Sequence, residues 1–599
     1  MKKIMMVVFV SMLVLVGCNT DAITEQNSGE AEETVQTQSR FKGATLQDFY
    51  DEMFVGLMNL EPESIEYIGD LAEYGLTAKT DTVTIKSHEY QTEVKSFYED
   101  ALIHLKTFDV ESTDEAYMNY ENVKWLIEIK LDQFKYGRND FFLTSFAGEL
   151  RSFYRFINEV HVIETEQDAK DWIARVVMSE VKIKDWIERY NSNVESGYFL
   201  DSISLDYAIK LVRDMTPRVI DLNELNSNFV TKVNALDLSE EKTSALKTSA
   251  IDAIENHFMP NMKDLKTALL DSREFTDSLE GLWDLPNYDE YYVHALKRQT
   301  TTSMSPDEIH QLGLSEVSRI QEEMKQAFAE IGYEGSLDSM LSSLYANSEY
   351  YSGQAAMDRY DEVSSEMESQ LNLFFYEEDL PVSSANIVES PGGNYYLGPS
   401  LDGKRKGTYS LDLSYEHADF DINTLAYHEM VPGHHFEREH EMLLNDMPMI
   451  RKTANYTVYT EGWALYAETL ANENGFNDTP ERRIGYLKSE LHRAARLVVD
   501  TGLHNKKWDY NQAVDYLVNE GLLGESYAKS EATRYISWPG QACSYKIGQL
   551  KLLELRTLME EALGDAYDIK EFHHLVLENG SMPLEILEAY ILEYIENNK

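Results

Sequence analysis

The sequence predicts a mainly α-helical protein that carries a small β ribbon. The 599 residues include only 13 prolines and 30 glycines, too few for a turn-rich sandwich or barrel. Apolar residues recur every three or four positions in segments such as LQDFYDEMFVGLMNL and AKDWIARVVMSEVKIKDWIERY. The exception is the stretch from about 380 to 414, where β-branched runs are broken by glycine and proline, as is typical of strands and loops.

The length exceeds what a single core usually serves, so we expect two helical parts after residue 40. Residues 41–287 contain no cluster of chemically reactive side chains and are predicted to form an N-terminal helical scaffold. Residues 288–599 are predicted to form a catalytic helical lobe, with the ribbon just before a histidine-rich stretch. One of its helices has a clear start, because Ser305 precedes Pro306, Asp307 and Glu308 in the order that favours an N-terminal cap.

The first forty residues contain a targeting signal. MKKIMMVVFVSMLVLVGC has two lysines, then an apolar run too short to span a bilayer comfortably, and ends in a sequence that resembles the bacterial lipoprotein box. Residues 1–17 are thus predicted to be a lipoprotein signal peptide, with Cys18 as the lipidated residue and residues 18–40 as a flexible acidic tether. The protein would lie outside the cytoplasmic membrane, anchored in the bilayer by acyl chains on Cys18. An ordinary cleaved signal or an uncleaved anchor is the alternative.

Charge and cysteine content narrow the class of protein further. A formal net charge of -52 argues against nucleic-acid binding and against docking along anionic lipid headgroups. The only cysteines are Cys18 and Cys543, so lipidation of the first leaves no partner for an intrachain disulfide. The fold must then depend on core packing and, if a site exists, on a metal ion.

The stretch YHEMVPGHHFEREHE, which starts at Tyr427, begins like the zinc-hydrolase signature H-E-x-x-H. In that signature, two histidines four residues apart face one ion from one side of a helix. Here, His428 and Glu429 are followed by histidines only at 434 and 435. On an unbroken helix, His434 would lie about 240° round the axis from His428, and His435 about 10 Å along it. Neither histidine would reach the same ion.

A break at Pro432 resolves this conflict. Proline interrupts a helix, and the glycine after it can adopt conformations that other residues avoid, so the two extra residues can loop out. We therefore predict that His428 and His434 are metal ligands, with His435 as the alternative to His434. Glu429 would be the general base that takes a proton from the attacking water.

A third ligand is expected on the segment YTEGWALYAETLANENG. Glu461 and Glu468 lie seven residues apart on one helical face, and we predict that Glu461 is the ligand. Glu468 is then a buried or surface partner, although it remains the competing choice. His435, Glu439 and His440 could form a different site, because the first two are one helical turn apart.

The motifs HEMVPGHH, TEGWALYAE, RLVVDTGLH and RYISWPGQACSYKIGQLKLLELR together resemble the bacterial domain of unknown function 885 (DUF885) family, over roughly residues 45–595. That family looks like a distant, gluzincin-like relative of helical zinc peptidases such as neurolysin, thimet oligopeptidase and angiotensin-converting enzyme. The resemblance implies a large helical body with a channel. It also implies one zinc ion per chain held by His428, His434 and Glu461, with Glu429 as the base.

The resemblance also suggests roles for late residues of the chain. Helical zinc peptidases stabilise the oxyanion with a tyrosine or histidine from a late helix, for which Tyr545 is the first choice and Tyr535 the second. Arg534 and Lys546 are cations in an acidic chain and are candidates for binding a substrate carboxylate. For each of these four residues, ordinary packing or surface charge is the competing interpretation.

Asp500 and His504 are one helical turn apart and could orient a ligand histidine or contact substrate. The favoured function is an extracytoplasmic zinc metallopeptidase acting on short peptides. The alternatives are a non-catalytic lipoprotein that binds a peptide or another solute, and a zinc hydrolase of other amides or esters. Oligomeric state and the mode of cleavage are left open by the sequence.

Overall fold

The structure is a computed structural model that describes residues 39–599, except 113, 115, 145–147, 278, 280, 382, 391 and 392. Phe41–Lys599 form one compact unit. The predicted signal peptide, the lipidation site Cys18 and almost all of the tether lie outside the described residues. No helix in the described part of the chain is both long and apolar enough to cross a membrane.

The molecule is mostly helical, as the spacing of apolar residues predicts. The helices of the first part of the chain are α1 (Leu46–Leu60), α2 (Ser64–Ile68), α3 (His88–Leu105), α4 (Tyr117–Gln133), α5 (Glu149–Arg155), α6 (Glu166–Glu195), α7 (Ser202–Met215), α8 (Glu224–Asn234), α9 (Glu240–Ala253), α10 (Met259–Asp271), α11 (Arg273–Thr276) and α12 (Tyr288–Thr300). The next are α13 (Pro306–Glu330), α14 (Leu337–Asn347) and α15 (Gly353–Glu368).

The helices that follow the strands carry the motifs. They are α16 (Asp419–Glu429), α17 (His434–Leu443), α18 (Met449–Lys452), α19 (Thr457–Glu473), α20 (Pro480–His504), α21 (Tyr510–Asn519), α22 (Glu525–Ser537), α23 (Gln541–Leu563), α24 (Ile569–Leu577) and α25 (Leu584–Asn598).

The predicted β ribbon is a small mixed sheet rather than a simple hairpin. Its strands are β2 (Asn386–Glu389), β3 (Tyr395–Leu397) and β4 (Thr408–Leu411). Strand β4 lies in the centre, parallel to β2 and antiparallel to β3, so β3 is an edge strand. A second, two-stranded antiparallel sheet pairs β1 (Tyr350–Tyr351) with β5 (His417–Ala418), which leads directly into α16.

Local signals explain where individual helices begin. Helix α13 starts at the predicted cap, where the Ser305 hydroxyl accepts from the Glu308 amide and the Glu308 carboxylate accepts from the Ser305 amide. Three hydrophobic clusters fill the interior of the described part of the chain, and the largest includes residues from Leu282 to Ile595. We call this largest cluster the C-terminal core. It includes the apolar side chains of α16, α19, α20 and α23, which therefore form a rigid support for the histidine-rich stretch.

Candidate metal centre

The histidine-rich stretch is two helices joined by a tight turn. Helix α16 ends at Glu429 and α17 begins at His434, so the break falls on the segment that contains Pro432. The Val431–Pro432 peptide bond is cis. The Trp463 indole of α19 donates a hydrogen bond of 2.8 Å to the Pro432 carbonyl, which ties the turn to the neighbouring helix.

Gly433 is needed because the turn folds back on the end of α16. A Cβ atom at Gly433 would lie 2.0 Å from the carbonyl oxygen of His428 and 2.3 Å from that of Tyr427. Any other residue would force the two backbones apart. The Pro-Gly pair therefore turns the chain at the place where a continuous helix would carry His434 away from His428.

His428, His434 and Glu461 come together at this turn. Glu461 Oε2 lies 3.5 Å from His428 Nε2 and 3.4 Å from His434 Nε2. One potential ligand atom from each of the three residues lies within 4.8 Å of the other two, and no other such group occurs among the described residues. The donors of a tetrahedral zinc ion, with bonds of about 2.0–2.1 Å, lie about 3.3–3.4 Å apart. Two of the three separations therefore already match those of a shared ion.

The chemical nature of the three donor groups also suits a metal ion. Two imidazoles and one carboxylate are a common protein contribution to catalytic zinc, with a further position left for water. Glu461 Oε2 is buried and has no hydrogen-bond partner. Its pKa is held well below the usual range because, although burial raises it, the adjacent His434 and His428 lower it more. A buried carboxylate oxygen without a hydrogen-bond donor, between two ring nitrogens, is what a cation would satisfy.

Glu468 orients the first histidine. It lies two turns after Glu461 on α19 and is almost fully buried. Its Oε1 is 2.8 Å from His428 Nδ1, which leaves Nε2 of the same ring directed at Glu461. Burial alone would lower the pKa of His428, but the carboxylates of Glu461 and Glu468 on either side of its ring raise it to about 9. The two glutamates thus have different positions, with Glu461 in the ligand cluster and Glu468 behind the imidazole.

Glu429 ends α16 beside this cluster. Its side chain is buried, and burial raises the pKa of the carboxyl group, while the nearby His428 and His434 partly oppose the increase. None of the described residues forms a hydrogen bond with its carboxylate. A buried carboxylate with a raised pKa beside the candidate ligands is suited to accept a proton from water.

His435 points away from the cluster. Its Nδ1 is 2.9 Å from the Tyr396 hydroxyl and its Nε2 is 2.6 Å from the Ser383 carbonyl, so both ring nitrogens are engaged. His440 lies instead beside Asp379, at 3.9 Å. The alternative site at residues 435, 439 and 440 is therefore not assembled in the described chain.

Helices α19 and α23 cross at a pair of glycines. A Cβ atom on Gly462 would lie 2.5 Å from Gly548 Cα, and one on Gly548 would lie 2.1 Å from the Val458 carbonyl oxygen. Only glycines permit this approach. Glu461 is adjacent to one glycine and Tyr545 is one turn before the other, so the crossing brings the late helix to the metal cluster.

The two candidate tyrosines differ in what their hydroxyl groups already do. Tyr535 is buried, donates to Glu531 at 2.6 Å and accepts from Arg496 Nε at 3.1 Å. Tyr545 is 9% exposed, and its hydroxyl oxygen accepts a 3.4 Å hydrogen bond from the Gln541 amide. The proton of Tyr535 is therefore committed within the fold, while that of Tyr545 has no acceptor among the described residues.

Lys546 is fully buried in an ion-pair network. Its ammonium group contacts Glu490 at 2.6 Å, Gln549 at 2.8 Å and Glu316 at 3.0 Å. Three acceptors use the three donors of an ammonium group, so none remains for a substrate carboxylate. The structure gives this lysine a role in joining α13, α20 and α23.

Asp500 and His504 hold the tertiary structure together instead of orienting a ligand histidine. Asp500 accepts from the Tyr292 hydroxyl at 2.6 Å and from the Gly540 amide at 3.0 Å, and burial raises its pKa to about 7. His504 lies 2.7 Å from the Tyr288 hydroxyl through Nδ1 and 3.0 Å from a backbone carbonyl through Nε2. Both therefore tie α20 to α12, and in addition Asp500 contacts the residue that precedes α23 while His504 contacts α22.

A group of arginines beside Tyr545 was not predicted, apart from Arg534. The Arg496 guanidinium lies 4.4 Å from the centre of the Tyr545 ring and the Arg493 guanidinium lies 5.9 Å from it. Arg534 and Arg496 share the carboxylate of Glu531. The sequence does contain a signal, since LHRAARLVV sets two arginines three residues apart in an otherwise apolar helix segment.

The three candidate ligands differ in their exposure to solvent. The side chains of His434 and Glu461 are 14% and 19% exposed, against 4% for His428. A separate surface groove of about 550 Å³ lies at the C-terminal end of α19 and is lined by residues such as Leu470, Glu473 and Arg556. None of His428, His434 and Glu461 lines that groove, so the groove is separate from the candidate metal centre.

Comparison with known proteins places the chain in a family. Residues 62–591 match the family described as "Bacterial protein of unknown function (DUF885)". Because this match spans most of the chain, the protein belongs to the DUF885 family, as its motifs indicate. No curated protein matches the sequence.

Two solved structures have the same overall fold. One is "the putative lipoprotein from Colwellia psychrerythraea", with 27% identity, a TM-score of 0.87, and coverage of 92% of this chain and 98% of that one. The other is "a putative lipoprotein of unknown function from Shewanella oneidensis", with 16% identity, a TM-score of 0.68, and coverage of 92% and 100%. The second likeness shows the fold alone. The name of the first neighbour is consistent with lipid anchoring of this chain.

Proposed function

We propose that this protein is an extracytoplasmic zinc metallopeptidase that hydrolyses short peptides. The observation that carries the proposal is the position of Glu461 Oε2, buried without a hydrogen-bond donor and 3.4–3.5 Å from two imidazole nitrogens. A site of that kind next to a buried carboxylate, Glu429, has the parts that metal-assisted hydrolysis requires.

The ion would be held by His428, His434 and Glu461. When bound, zinc would act as a Lewis acid toward the scissile carbonyl and toward a water molecule. Glu429 would accept the proton of the attacking water and pass it to the leaving amine. Tyr545 would donate its hydroxyl proton as a hydrogen bond to the developing oxyanion.

The edge strand β3 offers a place for the substrate backbone. Its Tyr396 ring lies nearly parallel to the His434 ring, with 6.4 Å between ring centres. An extended peptide that pairs with β3 would gain main-chain hydrogen bonds and would pass beside the metal cluster. Such binding selects peptides by their backbone, which suits short substrates of varied sequence.

The proposed location rests on the lipoprotein signal that the sequence of residues 1–18 resembles. Lipidation of Cys18 after removal of residues 1–17 would anchor the enzyme to the outer side of the membrane. Residues 18–40 would then tether the helical body to the bilayer. A chain whose Cys18 is replaced by serine is expected to lose lipid labelling and membrane retention.

The same fold and site are compatible with two alternative functions. A lipoprotein that only binds peptides has no chemical need of a carboxylate beside the ligands, and the presence of Glu429 favours the enzyme. A zinc hydrolase of other amides or esters would use the same residues, so substrate screening should include these compounds.

The first test is the metal content of the compact unit Phe41–Lys599. We expect one zinc ion per chain, lost in His434→Ala and retained in the matched neighbour variant His435→Ala. Peptide hydrolysis should disappear in Glu429→Gln while the zinc content is preserved. A chain that takes up no zinc on reconstitution would overturn the proposal, and retained hydrolysis in Glu429→Gln would overturn the role of the base.

A further inference from the structure

Three guanidinium groups lie together beside the candidate oxyanion donor. Arg496 is 3% exposed and stacks on Tyr545, and Arg493 approaches the same ring. Arg534 lies 5.7 Å from the Tyr535 ring centre, while Arg496 donates to the Tyr535 hydroxyl. We refer to Arg493, Arg496 and Arg534 as the arginine cluster.

The arginine cluster has more positive charge than the fold neutralises. Glu531 is the only carboxylate in the described chain that forms an ion pair with any of its members, at 3.0 Å from Arg496 and 3.3 Å from Arg534. The adjacent His492 adds no charge, because burial and the field of Arg496 lower its pKa to about 3. Two positive charges therefore remain unpaired in a protein whose net charge is -52.

Buried donors of the cluster also lack partners. Arg496 NH1, Arg493 Nε and Arg534 Nε are buried nitrogens without a hydrogen-bond acceptor. Desolvated donors on charged groups are costly unless an acceptor completes them. An anion that enters the cluster would neutralise one of the two unpaired charges and would supply hydrogen-bond acceptors.

The cluster is next to the proposed reaction centre. The guanidinium groups of Arg496 and Arg493 both lie over the Tyr545 ring. Tyr545 is one helical turn from the glycine crossing that positions Glu461. A group held by the cluster would therefore lie within a short peptide's length of the metal ligands.

We propose that the arginine cluster binds a carboxylate of the substrate, and that Arg493 and Arg496 are its main contacts. Planar guanidinium groups pair with carboxylates through two parallel hydrogen bonds, which fixes position as well as charge. The carboxylate could be the C-terminus of the peptide or an acidic side chain. This inference rests on the proposed function, because the arginine cluster would select, among peptide substrates, those with a carboxylate near the cleaved bond.

Binding of small peptides tests the cluster without requiring turnover. We would titrate the Glu429→Gln chain by calorimetry, as isolated and with zinc added, with N-acetyl-trialanine, with its C-terminal amide, and with an amide that ends in glutamate. The free acid should bind at least about tenfold tighter than the plain amide, as expected for a charge-assisted pair. When Arg493→Gln is combined with Glu429→Gln in one chain, the preference for the free acid should fall to about twofold or less.

Arg483→Gln is the matched control. It lies on the same helix α20 and pairs on the surface with Glu330 at 3.5 Å, so its loss should leave the preference unchanged. If the glutamate-ending amide gains affinity that depends on Arg493, the carboxylate is recognised on a side chain. If only the free acid gains it, the C-terminus is recognised.

Other outcomes would overturn the inference. These are equal binding of the three peptides, no binding up to millimolar concentration, or a preference that Arg493→Gln retains. The result separates this site from the proposed function. Carboxylate binding without zinc uptake or hydrolysis would support the carboxylate site and reject the proposed peptidase function. Hydrolysis whose rate does not depend on a substrate carboxylate would reject only the carboxylate site.

Discussion

The carboxylate behind His428 offers the sharpest test of the metal centre. Replacement of Glu468 by glutamine keeps the size of the side chain but removes the charge that faces His428 Nδ1 at 2.8 Å. Because Glu468 is 1% exposed, water cannot take over this contact. Loss of such a supporting carboxylate typically weakens metal binding about 10- to 100-fold. That factor corresponds to about 1.4–2.7 kcal/mol of binding free energy.

The measurement is a zinc dissociation constant obtained by competition with a chromophoric chelator. Glu473→Gln is the control, since it lies on the same helix, is 43% exposed at its side chain and pairs with Arg556. We expect less than a twofold change in that variant. Zinc stoichiometry should stay at one in both variants, because neither side chain is among the three ligands.

Two results would refute this reasoning. An unchanged dissociation constant in Glu468→Gln would show that the hydrogen bond does not support the ligand. Complete loss of zinc in Glu468→Gln, with zinc retained in Glu461→Gln, would exchange the roles of the two glutamates.

Three further predictions concern stability. Gly548→Ala should cost about 1–3 kcal/mol in unfolding free energy, because its Cβ would meet a carbonyl oxygen at 2.1 Å, whereas Gly524→Ala, in open space, should stay within about 1 kcal/mol. Ser305→Ala should cost about 0.5–2 kcal/mol by loss of the cap on α13. Burial lowers the pKa of His504 from 6.5 to about 4, so the unfolded chain binds a proton first and stability falls as pH falls through this window. Between pH 7 and 4, denaturant titrations should show a loss of unfolding free energy that is about 3 kcal/mol smaller in His504→Gln than in the parent chain.

The sequence by itself determined what depends on neighbours along the chain. Helical periodicity follows from the spacing of apolar side chains, and the cap at Ser305 follows from four consecutive residues. The break at Pro432 was also readable, because proline disrupts a helix wherever it stands in its interior. The sequence did not predict the mixed order of β2, β3 and β4. The paths of the connecting segments place β4 in the centre, with one parallel and one antiparallel neighbour.

Only the tertiary structure decided how the candidate side chains divide their roles. His434 and His435 are adjacent in sequence, but the packing of β3 and the Ser383 carbonyl occupies both nitrogens of the second. Glu461 and Glu468 share a helical face, and the direction of the His428 ring separates the ligand position from the supporting one. Lys546 carries the same charge as Arg493, but Glu490 and Glu316 from two other helices, together with Gln549 on its own helix, use all its donors. These roles depend on contacts between residues far apart in the chain, and the local spacing of residues in the sequence does not predict such contacts.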